Sequence, residues 1–180
     1  MKLVLVLTFL LCSSVAYAQQ KAHPPAPRCD ESLWKEVFTG DPRQFKKPQE
    51  RLQIIERCKT VTGYIVAMRP ESDGDLHILL RLDPGQSVPL TAKNRSGQSG
   101  SLVVEPICMR APTEGSALKQ RACTPFRQKF TALEQVRLNL GQKRPRATHV
   151  EVTGAFVRDM EHGWNEIHPV TSITITPRAR

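Results

Sequence analysis

Residues 75–82 alternate apolar and polar positions with the period of two that an extended strand requires. Residues 60–68 read as one strand and residues 75–82 as the next. In the second, Leu76, Ile78, Leu80 and Leu82 share a face that must be core, while Asp75, His77, Leu79 and Arg81 share the other. The acidic turn Glu71-Ser72-Asp73-Gly74-Asp75 joins the two. The pattern returns near the C-terminus, where residues 149–157 and 165–176 are joined by Asp159-Met160-Glu161-His162-Gly163. Each pair opens with Val-Thr-Gly, at Val61-Thr62-Gly63 and Val152-Thr153-Gly154, and each arrives at a histidine, His77 or His168. Two β-hairpins follow from turn chemistry flanked by β-branched runs.

Residues 101–107 supply a further strand, with Pro106 marking its end or an exposed edge. Residues 30–38 predict a short helix: Asp30 and Glu31 lie in the first turn, Leu33, Trp34, Val37 and Phe38 recur at helical spacing, and Gly40-Asp41-Pro42 stops it. Residues 45–57 fit a strand or a helical turn equally well. Residues 94–100 read as a polar loop, and residues 112–122 as a short helix between Cys108 and Cys123. Residues 126–140 alternate irregularly and predict an extra extended segment, followed by a basic turn at 141–146. Five principal strands with an excursion between the third and fourth give a mainly β fold. The layout expected is a small five-stranded OB-like (oligonucleotide/oligosaccharide-binding) barrel, with an open sandwich as the alternative. Gly63 and Gly154 suit the sharp coiling that so small a barrel needs.

The N-terminus changes the setting. Lys2, an apolar run from Leu3 to Leu11 and the small-residue site Ala16-Tyr17-Ala18 form a secretory signal peptide over residues 1–18. The run is shorter than the roughly 18 unbroken apolar residues a membrane span requires, so no span is expected in the mature chain. A proline-rich, flexible segment occupies residues 19–28, and residues 29–180 form a single OB-like domain. The expected location is secreted or periplasmic. Without Cys12 four cysteines remain, an even number in an oxidising compartment, and two disulfides follow. Of the three pairings, Cys108 with Cys123 and Cys29 with Cys58 are favoured. The first pair shares one excursion, and the second ties the N-terminal segment to the first strand.

The 180-residue chain carries 26 Lys and Arg against 17 Asp and Glu. The excess gathers in Lys119, Arg121, Arg127, Lys129, Arg137, Lys143, Arg144 and Arg146, opposed over that stretch by Glu134 alone. The second hairpin is acidic instead, with Glu151, Asp159, Glu161 and Glu166. Such a basic patch attracts polyanions: nucleic acid, anionic lipid, acidic glycan or another envelope polymer. Aromatic residues are too few, and too much needed by the core, for a dedicated single-strand stacking platform.

Candidate chemistry is sparse. In a regular fifth strand His162, Trp164, Glu166 and His168 project to one side, and Asp75 and His77 share a face of the second. His77, His162, Glu166 and His168 therefore form a candidate set for a divalent metal, the one cofactor the chain suggests, with Asp75 or Asp159 as further ligands. The competing expectation is that His77 and His168 hydrogen-bond nearby carboxylates while Trp164 covers the end of the barrel. No serine stands in an elbow motif, and neither a phosphate-cradling glycine loop nor a dinucleotide fingerprint occurs, so no catalytic residue is assigned. The run His162-Gly163-Trp164-Asn165-Glu166-Ile167-His168-Pro169 resembles the Gly-x-x-His-x-x-His-x-Pro ending of a family of exported bacterial domains of unknown function, the DUF3465 group. It departs from that ending in having Glu166 and a single histidine before Pro169. The resemblance covers the two hairpins and implies an OB-like fold without an assigned activity. Three functions follow in order of preference: an exported non-enzymatic binding module for a polyanion or envelope partner, a metal-dependent hydrolase using the hairpin histidines and Glu166, and a structural envelope component.

Overall fold

The computed structural model describes residues 27–86, 88–113, 123, 127–140 and 147–177. Its strands are β1 (Leu52–Pro70), β2 (Leu76–Leu82), β3 (Leu102–Val104), β4 (Thr148–Asp159) and β5 (Asn165–Ile175). They form one mixed sheet that closes in a ring in the order β1-β2-β3-β5-β4. All neighbours are antiparallel except β3 and β5, which run parallel with Val103 opposite Glu166 and Val104 opposite Ile167.

The ring closes because β1 is long. It pairs with β4 from Leu52 to Ile65 and with β2 from Gly63 to Pro70, so one strand serves two neighbours and bends between them. Register shifts near Ile54, Glu56 and Ile65 accommodate the bend, as bulges do. The ambiguous stretch 45–57 thus resolves into a single turn of helix, α1 (Pro48–Arg51), running straight into strand. Both glycines of the Val-Thr-Gly repeat sit where a neighbouring backbone comes too close for a side chain. A Cβ at Gly63 would meet the carbonyl of Arg81, and one at Gly154 would lie 2.6 Å from Ile167 Cγ2. Gly154 also falls at the register shift between β4 and β5.

Three expectations need correction. The residues read as a polar loop form α2 (Ala92–Gly97), because Thr91 and Asn94 cap it reciprocally: Thr91 Oγ1 accepts from Asn94 N, and Asn94 Oδ1 from Thr91 N. The segment expected to be extended is helical over α3 (Thr131–Leu140). Its buried Leu133 and Val136 stand three residues apart, the spacing that places both on one helix face. The N-terminal helix is a 3-10 helix, Glu31–Glu36, started by Asp30 whose carboxylate accepts from Ser32 N at 2.9 Å. The helix expected at 112–122 lies largely outside the described residues.

Two cores result. Val61, Ile65, Ile78, Leu80, Leu102, Val104, Val150, Val152, Phe156 and Ile167 fill the ring, and α3 adds Leu133 and Val136. A second cluster outside the ring packs Leu33 and Val37 of the N-terminal segment on Leu52, Ala155 and Val157, beside Ile107 and the Cys108–Cys123 bridge. Both favoured disulfides are present, Cys29–Cys58 and Cys108–Cys123, and they fit an oxidising compartment. Among the described residues no helix is long and apolar enough to cross a membrane.

Candidate functional site

The two hairpins bring their histidines to one carboxylate. Past β3 the chain stays clamped between its neighbours: Glu105 N donates to Ile167 O at 2.9 Å, and Pro106 O accepts from Leu76 N at 3.1 Å. Glu105 therefore lies beside His168 of the second hairpin and His77 of the first. Its Oε1 is 2.8 Å from His77 Nδ1, and its Oε2 is 3.0 Å from His168 Nδ1. His168 Nδ1 is also 3.0 Å from Glu166 Oε1, and His77 Nδ1 is 3.6 Å from Glu71 Oε1.

Outer partners fix these side chains. His77 Nε2 is 3.0 Å from Gln98 Oε1, at the end of α2. Trp164 donates from Nε1 to Glu166 Oε2 at 2.6 Å and meets the His77 ring edge-on at 5.7 Å. Asn94, fully buried, ties α2 to the start of β5 by donating to Asn165 O and accepting from Asn165 N. The loop overlooked in the sequence is thus the brace that covers the polar face of β2 and closes the site. His77, Glu105, Glu166 and His168 are all buried, and Glu71 alone, with a third of its side chain exposed, reaches solvent.

Burial sets the electrostatics. For His168 desolvation favours the neutral ring, but hydrogen bonds to Glu105 and Glu166 outweigh it and raise the pKa to about 10. His77 is raised too: burial opposes the charge, and the Glu105 and Gln98 bonds overcome that. Burial alone would raise Glu105, yet its bonds from His168 and His77 hold it well below the usual carboxylate range. Glu166 is pushed up by burial and by the Glu105 charge, and Glu71 by the same two causes. Asp75, buried and bonded to Cys108 N at 2.6 Å, is raised to about 8 by desolvation and by Asp73. Asp75 also stands close to Cys108 and Cys123, but those sulfurs are spent in the disulfide.

Of the sequence-expected metal set, His77, Glu166 and His168 gather here and His162 does not. The strand begins only at Asn165, so His162 belongs to the turn. Its ring stacks on Trp164 at 4.5 Å, and its Nδ1 lies 3.0 Å from Asp159 Oδ2. Asp159 in turn holds the buried Arg51 at 3.1 Å, and Arg51 donates to Phe38 O at 2.9 Å. Asp159 is thus a structural anchor. Glu105 and Gln98 were not anticipated. The signal for Glu105 was present: a lone acid inside Leu102-Val103-Val104-Glu105-Pro106-Ile107, a run otherwise wholly apolar.

Of the basic patch, Arg127, Lys129 and Arg137 are described, with Lys129 and Arg137 exposed at α3 and its approach. Lys119, Arg121, Lys143, Arg144 and Arg146 lie outside the described residues. No family model, no curated protein and no solved structure matches this chain.

Proposed function

We propose that the protein is an exported, non-enzymatic binding module built on an OB-like barrel, and that its ligand is a polyanion. One observation carries the reading: burial removes more acids than bases from the surface. Among the described residues Asp75, Glu105, Asp159 and Glu166 are at most 5% exposed, whereas Arg51 is the single lysine or arginine in the buried class. The surface is therefore more cationic than the formal net charge of +9 conveys. A groove of about 670 Å³ between the approach to α3 and β5, lined by Lys129, Phe130, Gln135, Thr171 and Ser172, offers a cation beside an aromatic ring.

The strand order and the parallel β3–β5 closure support the OB-like assignment. The apolar leader at 1–18 and the two disulfides support export. The resemblance of the second hairpin to the DUF3465 group agrees with both. Binding to single-stranded DNA, phosphatidylglycerol vesicles and a uronate glycan at low salt tests the function. At least one is expected to bind, with affinity falling by a log–log slope of roughly 0.7–0.9 per neutralised phosphate for a nucleic acid. Lys129→Glu with Arg137→Glu should weaken that binding. Failure of all three ligands at low salt contradicts the reading.

A further inference from the structure

We propose that Glu105 bridges a pair of divalent-cation sites, one completed by Glu71 and His77 and the other by Glu166 and His168. Two donor triads share this one residue: Glu71, His77 and Glu105, and Glu105, Glu166 and His168, each with its donor atoms within 4.8 Å of one another. The two oxygens of Glu105 face opposite ways, Oε1 toward His77 and Oε2 toward His168. Bonds of about 2.0–2.2 Å in tetrahedral geometry set neighbouring donors roughly 3.3–3.5 Å apart. The nitrogen–oxygen separations are 2.8 and 3.6 Å in the first triad and 3.0 and 3.0 Å in the second, so an ion would enter as the donors move apart from hydrogen-bonding to ligand spacing.

The surrounding residues are arranged as outer partners of metal ligands are. His77 Nε2 keeps Gln98 Oε1 as its partner at 3.0 Å, so that displacement of the Nδ1 proton by an ion would leave the Nδ1 lone pair directed at the first site. Trp164 holds Glu166 by Oε2, leaving Oε1 directed into the second. The cluster is also short of positive charge: three carboxylates meet two imidazoles. Arg51 is engaged by Asp159 and Glu161, and Arg69 sits in solvent 3.6 Å from Glu71. Among the described residues His168 Nε2, the ring nitrogen that faces away from both triads and on a residue 1% exposed, has no partner. Glu71, with a third of its side chain exposed, gives ions a route inward. One nitrogen and two carboxylates per ion suit Zn²⁺ or Mn²⁺ better than Ca²⁺.

The test uses the mature, disulfide-intact protein stripped with chelator and titrated with Zn²⁺ by calorimetry. Two ions per chain are expected. Glu105→Gln should weaken both by roughly 100-fold or more, and Glu71→Gln, at a partly exposed position that folding tolerates, should leave one. Electron paramagnetic resonance of the Mn²⁺ form should show a coupled pair. No stoichiometric Zn²⁺, a single ion in the wild type, two ions retained in Glu71→Gln, or only uncoupled Mn²⁺ would each overturn the proposal.

Discussion

The two hairpins begin alike and end alike, yet they are stabilised differently. The first runs from Val61-Thr62-Gly63 to His77, and both nitrogens of that ring are partnered, by Glu105 and Gln98. The second runs from Val152-Thr153-Gly154 to His168, whose Nδ1 meets two carboxylates while Nε2 meets nothing. The turns differ as well. Glu71 in the first keeps a third of its side chain open to solvent, whereas Asp159 at the second is sealed against Arg51. A repeated sequence therefore supplies matching backbone and matching histidines, and the unrepeated parts decide what each histidine does. Those parts are Glu105 after β3, Gln98 at α2, and Arg51 at the foot of β1.

The largest effect expected from breaking this contrast comes from Arg51→Ala. It leaves the buried Asp159 carboxylate without its guanidinium, held only by His162 and two turn N–H groups, and should cost about 3–5 kcal/mol, read as a fall in the urea midpoint at unchanged slope. The equivalent truncation on the first hairpin, Arg69→Ala, removes a largely exposed charge and should cost well under about 1 kcal/mol. Equal losses would erase the distinction between the turns.

Next in size is Gly154→Ala. Its Cβ would press on Pro169 O at 2.5 Å and on Ile167, both in the strand that carries His168, so about 1–3 kcal/mol is expected. Thermal unfolding measures it. A neutral substitution would mean that the crossing of β4 and β5 is looser than described.

A smaller, graded effect concerns pH in the metal-free protein. His168 has a folded pKa of about 10 against an ordinary value near 6.5, so its contribution is complete below pH 6.5 and is lost as pH rises toward 10. Asp75, raised to about 8, acts in the same direction: its neutral form is the folded one, and the stability tied to it fades between about pH 4 and 8. Stability should therefore decline on the alkaline side, and His168→Gln should flatten the profile between pH 8 and 10. A wild-type profile that is flat over that interval counts against the charged ring.

Much of the ring was legible in the sequence because period-two alternation and turn chemistry are local signals. The hairpins and the roles of Gly63 and Gly154 followed from a few neighbouring residues, and the favoured disulfide pairing from segment layout rather than local signals. The helices were less legible. The capping pair Thr91 and Asn94 lies within a polar stretch with no apolar stripe, and the periodicity of α3 rests on few buried positions. At the site, His77, Glu166 and His168 were anticipated from strand alternation alone. His162 was misplaced because the alternation of the fifth strand was carried back into the turn before Asn165, where side chains do not alternate. Glu105 belongs to neither hairpin and reaches His77 through the antiparallel pairing of β2 with β3 and His168 through the parallel pairing of β3 with β5, the latter a contact between residues far apart in the chain.

The central claim is that one ionised carboxylate, Glu105, holds both hairpin histidines. Imidazole ¹⁵N correlation spectra of metal-free protein near pH 8, for the wild type and Glu105→Gln, test it most directly. The account predicts a hydrogen-bonded Nδ1–H at both His77 and His168, with the His168 ring charged, and the loss or upfield movement of both signals together in the variant. A variant spectrum in which only one ring responds, or a wild-type His168 ring that is neutral at that pH, would contradict it.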